Sequence, residues 1–330
     1  MLQEDEIKRI YTALADETSR NIFRHRLLYS LYGDRKEITK IVYEYSPAQE
    51  LLSNSKICYY GAGVGSGWLV RYNTNVTFVI DKYKTGEIEG WPVISLDDFL
   101  KLPDCKEYVI IITVGKENVL KEITAELAKH DLRYVLAYSD LQYSQLQYFD
   151  LPELKLQNEF FVDAGALDGN TTRYLLDHFK KNHAYVFEPN PQQFSITEKN
   201  LKTYPNTELF PYGLYDRDTA LCFDVRSYDA SSARISENGS IQIEVRRLDN
   251  LLRDKKVTFI KMDIEGSELA ALRGGEKIIR EQRPKLAVSV YHKPEDIWEI
   301  PRLLLDCHPD YQLYLRHYSI SYTETVLYAV

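Results

Sequence analysis

Paired cysteines are what the sequence most clearly lacks. Four cysteines, Cys58, Cys105, Cys222 and Cys307, are spread over 330 residues, with no C-x-x-C pair and no histidine at zinc-finger spacing. A disulfide framework or a structural zinc site needs such clusters. We therefore expect a fold held by its hydrophobic core, with the cysteines as buried free thiols.

An excess of positive charge is also absent. The chain has 41 lysines and arginines against 49 aspartates and glutamates, which gives a formal net charge of −8. Such a chain has no overall field that attracts a polyanion, and this counts against nucleic acid as its main partner.

Long apolar runs are missing as well. Residues 1–10 are acidic and polar, whereas a signal peptide needs a basic start followed by an apolar core. No apolar run approaches the roughly 20 residues that cross a bilayer. We expect a cytoplasmic protein without an integral membrane segment.

Strand and helix patterns alternate along most of the chain, which predicts an α/β fold with parallel sheets. The length corresponds to about two domains. Residues 1–54 have apolar positions at helical spacing, and 55–140 read as a small Rossmann-like domain. The polar, aromatic-rich segment 141–157 reads as a linker, and a second α/β domain fills 158–330.

Two details of the second domain follow from its periodicity. Residues 267–280 are predicted to form one helix. The last two apolar runs, 311–315 and 325–329, have no helix between them, so we expect them to pair antiparallel at one edge of the sheet.

A glycine turn opens the second domain. Asp163 ends an apolar strand, and Gly165, Asp168 and Gly169 lead into a helix. Ligands of open α/β sheets bind at the carboxyl ends of strands, and Glu188, at the end of the next strand, suits a ribose diol. The two aspartates would repel a pyrophosphate but suit an amino group and a sulfonium cation, which favours S-adenosylmethionine over NAD.

A third motif, K-M-D-I-E-G-S-E at 261–268, ends another apolar strand with clustered carboxylates. Together with V-D-A-G-A-L-D-G-N-T at 162–171 and F-E-P-N at 187–190, it resembles the FkbM-type family of S-adenosylmethionine-dependent methyltransferases. The resemblance spans nearly all of 155–330. It implies a seven-stranded, Rossmann-like methyltransferase fold for the C-terminal half.

The resemblance also implies positions for the cofactor. Asp163 and Gly165 would lie under its methionine part, Glu188 on its ribose and Asp263 beside the transferable methyl group, with adenine near 212–214. The expected cofactor-binding residues are Asp163, Gly165, Asp168, Gly169, Glu188, Asp216 and Asp263.

Two residues are candidates for the catalytic groups. If the acceptor is an alcohol, a general base is needed, and Asp263 and His292 both follow strands of the predicted sheet. Asp263 and Glu265 could instead hold Mg²⁺, but cofactor or substrate contacts explain these carboxylates equally well, so no metal site is predicted.

The first domain has a glycine loop of its own. Gly61, Gly63 and Gly65 follow a strand, Ser66 replaces the last glycine of G-x-G-x-x-G, and Asp81 ends the next strand. The domain is similar to small N-terminal domains on bacterial sugar-modifying transferases. It is expected to bind a nucleotide or nucleotide-sugar, or else to serve only for packing or homodimer formation.

The resulting hypothesis is an S-adenosylmethionine-dependent methyltransferase that acts on a hydroxyl of a sugar or other metabolite, in bacterial polysaccharide or natural-product synthesis. Two alternatives stay open. One is an NAD(P)-dependent oxidoreductase that uses the loop at 61–67, and the other is a non-catalytic nucleotide-binding scaffold. The acceptor, the choice between O- and N-methylation and the oligomeric state are left open.

Overall fold

The computed structural model describes most of the chain in several stretches. They are residues 3–53, 55–63, 76–141, 146–179, 182–224, 234–236 and 239–330. None of the helices in these stretches is long and apolar enough to cross a membrane.

The chain divides into two compact units. The C-terminal unit comprises Met1–Arg20, Leu146–Leu315 and Val326–Val330, and the N-terminal unit comprises Asn21–Gln145 and Arg316–Thr325. Each unit is therefore assembled from segments that are distant in the sequence. The predicted domain boundaries at 54, 140 and 157 stay a prediction.

The helices and strands alternate as the sequence predicts. The helices are α1 (Glu4–Ala13), α2 (Glu17–Tyr32), α3 (Lys36–Glu44), α4 (Gln49–Ser53), α5 (Leu96–Leu100), α6 (Glu117–Lys129), α7 (Asn170–His178), α8 (Pro191–Leu201), α9 (Leu248–Leu251), α10 (Glu268–Gly274), α11 (Glu276–Gln282) and α12 (Asp296–Cys307). The strands are β1 (Lys56–Tyr60), β2 (Val76–Ile80), β3 (Gly86–Ile88), β4 (Trp91–Ile94), β5 (Tyr108–Ile112), β6 (Arg133–Leu136), β7 (Phe160–Ala164), β8 (His183–Phe187), β9 (Thr207–Phe210), β10 (Gly213–Leu214), β11 (Thr219–Asp224), β12 (Arg234–Ile235), β13 (Ile241–Arg246), β14 (Phe259–Met262), β15 (Lys285–Ser289), β16 (Leu313–His317) and β17 (Thr325–Ala329).

A six-stranded sheet forms the centre of the N-terminal unit, in the order β3-β4-β2-β1-β5-β6. Neighbouring strands of this sheet run parallel, except β3 and β4, which run antiparallel. Every residue of β5 is buried, because a central strand of a parallel sheet is covered on both faces. The strand order reverses between β1 and β5, and open α/β sheets bind ligands at such a switch point.

A seven-stranded sheet forms most of the C-terminal unit, in the order β16-β17-β15-β14-β7-β8-β9. The strands from β15 to β9 are parallel, and β17 runs antiparallel to β15. Gln312 and Val330 each donate a backbone hydrogen bond to the other, at 3.1 Å and 3.0 Å. This reciprocal pairing confirms the predicted antiparallel hairpin at the sheet edge.

A four-stranded sheet, β10-β13-β11-β12, follows β9 in the chain. Phe223, Ile243 and Val245 form a small buried apolar cluster on it. This sheet corresponds to the part of the sequence where the strand and helix alternation is interrupted.

The prediction of one helix over 267–280 was wrong, because α10 ends at Gly274 and α11 begins at Glu276. Gly275 between them has φ −113° and ψ 11°, which is not helical. A Cβ atom on Gly274 would lie 1.9 Å from the carbonyl oxygen of Tyr215. The helix therefore breaks where it meets a distant part of the backbone, and helical periodicity carries no sign of that contact.

Replacing Gly274 with alanine is expected to lower the free energy of unfolding by about 1–3 kcal/mol, because the new methyl group must displace backbone. Gly115→Ala is the matched control, since its Cβ would meet only ring carbons of Tyr138, at 3.8 Å and 3.9 Å. Urea denaturation followed by circular dichroism measures both variants. Equal stability of the two would contradict the close approach at Gly274.

Candidate functional site

The glycine turn lies at the carboxyl end of β7, an interior strand of the seven-stranded sheet. The N–H groups of Gly165 and Ala166 donate to the Phe187 carbonyl oxygen at 3.1 Å and 3.2 Å. Gly165 has a φ of +79°, and a Cβ atom there would lie 1.9 Å from the Asp263 carbonyl oxygen. Only glycine fits this position between the ends of β8 and β14. The strand order reverses between β7 and β14, so the turn lies at the switch point of the sheet.

Asp163 lies beneath this turn and is fully buried. Its Oδ1 atom accepts a hydrogen bond from Lys261 Nζ at 3.0 Å, and its Oδ2 atom accepts one from Thr172 Oγ1 at 2.6 Å. The same ammonium group donates to the Gly165 carbonyl oxygen at 2.7 Å. The side chains of Lys261 and Asp163 are 4% and 0% exposed. The charge of Asp163 is therefore paired inside the protein and holds the turn in place.

Asp168 and Gly169 shape the start of helix α7. Asp168 Oδ1 accepts a hydrogen bond from the Asn170 N–H at 3.0 Å, and its carbonyl oxygen accepts one from Asn200 Nδ2 at 2.8 Å. Gly169 precedes α7 in a left-handed conformation. Both residues lie on the turn, as expected, and their contact with a cofactor stays a prediction.

Glu188 is buried at the end of β8. Its Oε2 atom accepts a hydrogen bond from the Leu167 N–H at 2.9 Å, and its Oε1 atom accepts one from the Asn190 N–H at 2.8 Å. Burial raises the pKa of Glu188 to about 7, although the two backbone donors oppose the shift. Each carboxylate oxygen has a further lone pair, which a ligand hydroxyl can use.

An apolar cleft lies beside the glycine turn. Its walls come from the ends of β7 and β8 and from the four-stranded sheet that contains β10. They include Gly165, Pro189, Tyr212, Leu214, Phe223 and Ile243. Apolar walls of this kind suit a planar aromatic base. The structure thus brings the expected adenine region at 212–214 next to Gly165. Asp216 is not among the described residues that line the cleft, and its Oδ1 lies 3.8 Å from Arg217 Nε.

Four ionisable side chains meet at the carboxyl ends of β14 and β15. Asp263, Glu265, Glu268 and His292 form what we call the acid–histidine cluster. His292 Nε2 lies 3.5 Å from both Asp263 Oδ1 and Glu265 Oε2, and His292 Nδ1 lies 2.9 Å from Glu268 Oε1. Glu268 is fully buried and accepts a hydrogen bond from the Ile264 N–H at 2.8 Å. Both predicted catalytic candidates are therefore in one cluster.

The cluster carries an excess of negative charge. Burial alone would lower the pKa of His292, but the charges of Glu268, Glu265 and Asp263 outweigh burial and raise this pKa to about 11. Burial, reinforced by Glu268, also raises the pKa of the nearby Asp296 to about 7. Carboxylates crowded in this way attract protons and cations.

The sequence did not single out two residues that complete the site. The Tyr148 hydroxyl donates to Asp263 Oδ2 at 2.7 Å, and its ring centroid lies 5.4 Å from Lys261 Nζ. Tyr148 belongs to the segment predicted as a linker, and only the aromatic-rich composition of that segment marks it. Lys261 does have a signal, because it is a lone charge within the apolar strand Phe259–Met262.

The glycine loop of the N-terminal unit follows β1 at the switch point of the six-stranded sheet. Asp81 Oδ2 accepts a hydrogen bond from the Ala62 N–H at 2.7 Å, and Asp81 Oδ1 accepts from the N–H groups of Tyr83 and Lys84, both at 2.8 Å. The carboxylate of Asp81 therefore orders the ends of two strands.

A cavity opens beside this loop, and Gly61 and Asp81 both line it. Asp97, Glu122 and Glu126 also line it, and these carboxylates disfavour a pyrophosphate. Gly63 lies on the loop, whereas Gly65 lies outside the described residues. The nucleotide site of this unit stays a prediction.

The strand order and the glycine turn of the C-terminal unit place the protein among enzymes with the Rossmann-like methyltransferase fold. The chain is similar to the crystal structure of methyltransferase FkbM from Methylobacillus flagellatus KT, with a TM-score of 0.51 and 21% identity, covering 86% of this chain and 93% of that one. This likeness confirms the predicted fold. Residues 163–318 match the model of the methyltransferase FkbM domain. The chain is therefore a methyltransferase with an FkbM-type domain, as its motifs predicted.

Two curated relatives are each similar to part of the chain. The 2-O-methyltransferase NoeI of Sinorhizobium fredii is 24% identical in an alignment 185 residues long, which covers 48% of this chain and 75% of the relative. The hexuronic acid methyltransferase AglP of Haloferax volcanii is 27% identical over 129 residues, which are 38% of this chain and 53% of the relative. The chain thus spans about half the length of the second relative.

The contribution of the buried Lys261–Asp163 ion pair to stability can be measured. Lys261→Met leaves a buried carboxylate without its cation, so we expect it to lower the free energy of unfolding by about 3–5 kcal/mol. Adding Asp163→Asn removes the unpaired charge and should recover part of that loss. Urea denaturation of both variants measures the difference, and a double variant no more stable than Lys261→Met alone would contradict the pairing.

Proposed function

We propose that this methyltransferase transfers a methyl group from S-adenosylmethionine to a hydroxyl group of a sugar or a related hydroxylated acceptor. One observation carries the proposal. The Gly165 turn, the buried Glu188 carboxylate, the apolar cleft and the acid–histidine cluster all lie at the carboxyl ends of neighbouring parallel strands. A single ligand at this edge would contact all of them.

The chemistry of these residues fits the cofactor. Glu188 has lone pairs for the two ribose hydroxyl groups, and the cleft at Tyr212 and Leu214 has apolar walls for adenine. The Gly165 turn leaves no side chain between the backbone and the methionine part. S-adenosylmethionine supplies the methyl group on a sulfonium sulfur, and a positive charge is favoured near the carboxylates of the cluster.

The acid–histidine cluster serves the acceptor. Transfer forms a bond between the acceptor oxygen and the methyl carbon while the sulfur–carbon bond breaks, and the hydroxyl proton must leave. We place the acceptor hydroxyl beside Asp263, whose carboxylate is held by Tyr148. Much of the rate then comes from alignment of the oxygen, the methyl group and the sulfur.

The sugar acceptor is supported by the names of the relatives. NoeI is a 2-O-methyltransferase, and AglP is a hexuronic acid methyltransferase. A hydroxyl acceptor must lose a proton during transfer, and the carboxylates of the acid–histidine cluster are suited to accept it.

Glu188→Gln is expected to weaken binding of S-adenosylhomocysteine by about ten- to a hundredfold, because two charge-assisted hydrogen bonds to ribose become neutral ones. Isothermal titration calorimetry measures this. Glu198→Gln is the matched control, since Glu198 is exposed on α8, and it should bind as tightly as the unchanged protein. If the unchanged protein binds neither this product nor the cofactor, the proposed function fails.

Cofactor binding is expected to depend on pH through Glu188, whose pKa is about 7. The ionised carboxylate accepts hydrogen bonds from the ribose hydroxyls, and it forms as the pH rises through this value. Affinity should therefore increase from about pH 6 to about pH 8 and then level off. The same titration with Glu188→Gln should be flat, and an equal slope in both proteins would contradict the assignment.

The acceptor itself is tested with methyl-labelled cofactor and a panel of free sugars, nucleotide-sugars and oligosaccharides. We expect label in a methyl ether, identified by mass spectrometry and NMR. Asp263→Asn should lower kcat by about a hundredfold or more while leaving cofactor affinity within a fewfold. Label found only on nitrogen would overturn the hydroxyl assignment and leave the methyltransferase activity intact.

A further inference from the structure

We propose that Asp263, Glu265 and His292 bind one divalent cation of the first transition row. Each residue offers one ligand atom, and the three atoms lie within 4.8 Å of one another. The sequence pointed only to the two carboxylates. The structure adds an imidazole from the neighbouring strand end.

The spacing of these atoms suits a shared cation better than direct hydrogen bonds. His292 Nε2 lies 3.5 Å from Asp263 Oδ1 and 3.5 Å from Glu265 Oε2. Nitrogen and oxygen ligands bind such cations at about 2.0–2.2 Å, and adjacent ligands around one ion are then separated by roughly 3.0–3.5 Å. The two distances from His292 Nε2 fall at the upper end of that range.

The histidine supplies a second, independent observation. Its side chain is 8% exposed, and among the described residues neither ring nitrogen, Nε2 nor Nδ1, makes a hydrogen bond of normal geometry. The buried ring thus directs Nε2 at the two carboxylates. A polar atom buried without a partner is rare in proteins and calls for a ligand or a bound ion.

The surroundings of the three ligands are those of a metal site. The other ring nitrogen, Nδ1, lies 2.9 Å from the buried Glu268, and metal-binding histidines commonly orient themselves through such a carboxylate. Tyr148 donates to the second oxygen of Asp263, Oδ2, while Oδ1 accepts a long hydrogen bond from the Tyr291 hydroxyl at 3.4 Å and also lies 3.5 Å from His292 Nε2. The negative charge around the ring further favours a cation.

The mixed ligand set selects the kind of ion. Imidazole is a good ligand for Zn²⁺, Fe²⁺ and Ni²⁺, and carboxylates are good ligands for Mn²⁺, so a mixed set suits first-row transition cations, whereas Mg²⁺ prefers carboxylates and water. In the reaction, the ion would bind the acceptor hydroxyl and favour loss of its proton. This role rests on the proposed function, whereas the binding site itself does not.

The test is titration of the EDTA-treated full chain with Mn²⁺, in which electron paramagnetic resonance measures the free ion. We expect one saturable site per chain, about ten- to a hundredfold weaker in both Glu265→Gln and His292→Gln. Glu265 is 28% exposed, so its variant should fold even where a change at buried His292 disrupts packing. Glu198→Gln should bind Mn²⁺ like the unchanged protein.

Two results would overturn the proposal. One is the absence of saturable Mn²⁺ binding to the unchanged chain, and the other is a site that Glu265→Gln leaves unaffected. Binding of S-adenosylhomocysteine, measured on the same samples, separates this failure from that of the proposed function. A chain that binds the cofactor product but not Mn²⁺ refutes only the metal site, and the reverse refutes only the proposed cofactor.

Discussion

The buried ion pair of Lys261 and Asp163 is the interaction on which the rest of the site depends. It joins adjacent residues of β14 and β7, the two strands that flank the switch point of the sheet. The same ammonium group also holds the Gly165 carbonyl oxygen, and Thr172 ties Asp163 to helix α7. Burying two charges is unfavourable unless geometry and hydrogen bonds compensate. Here the Asp163 carboxylate and the Lys261 ammonium group each have more than one hydrogen-bond partner. The pair therefore fixes the Gly165 turn, which lies between the ends of β8 and β14.

This pairing changes the electrostatic reasoning that the sequence allows. Read as sequence, Asp163 and Asp168 look like two free carboxylates that attract a cationic cofactor. In the structure Asp163 is neutralised by Lys261, and Asp168 bonds to the start of α7. The negative charge that a sulfonium cation would meet comes mainly from the acid–histidine cluster instead. The expectation of a cationic cofactor therefore still holds, but the carboxylates that would attract it are those that follow β14.

What the sequence predicted well is what short-range patterns determine. Apolar runs set the strands, and the glycine and carboxylate motifs at their ends marked Gly165, Glu188 and Asp263. Long-range contacts were beyond these patterns. The break at Gly274 depends on the backbone of Tyr215, and Tyr148 reaches Asp263 from a segment predicted as a linker. Such contacts join residues that no local period or motif relates.

Two neighbouring parts of the site show opposite ways of handling a buried carboxylate. Burial of Glu188 raises its pKa to about 7, and the two backbone N–H groups that it accepts from only partly oppose this shift. Glu268 is equally buried, but it lies 2.9 Å from His292 and receives a backbone N–H as well. A carboxylate that ionises near neutrality suits reversible binding of the ribose hydroxyls in the proposed function, whereas the acid–histidine cluster concentrates negative charge around one imidazole ring. Glu188 follows strand β8, whereas Glu268 is the first residue of helix α10, so different elements hold the two carboxylates.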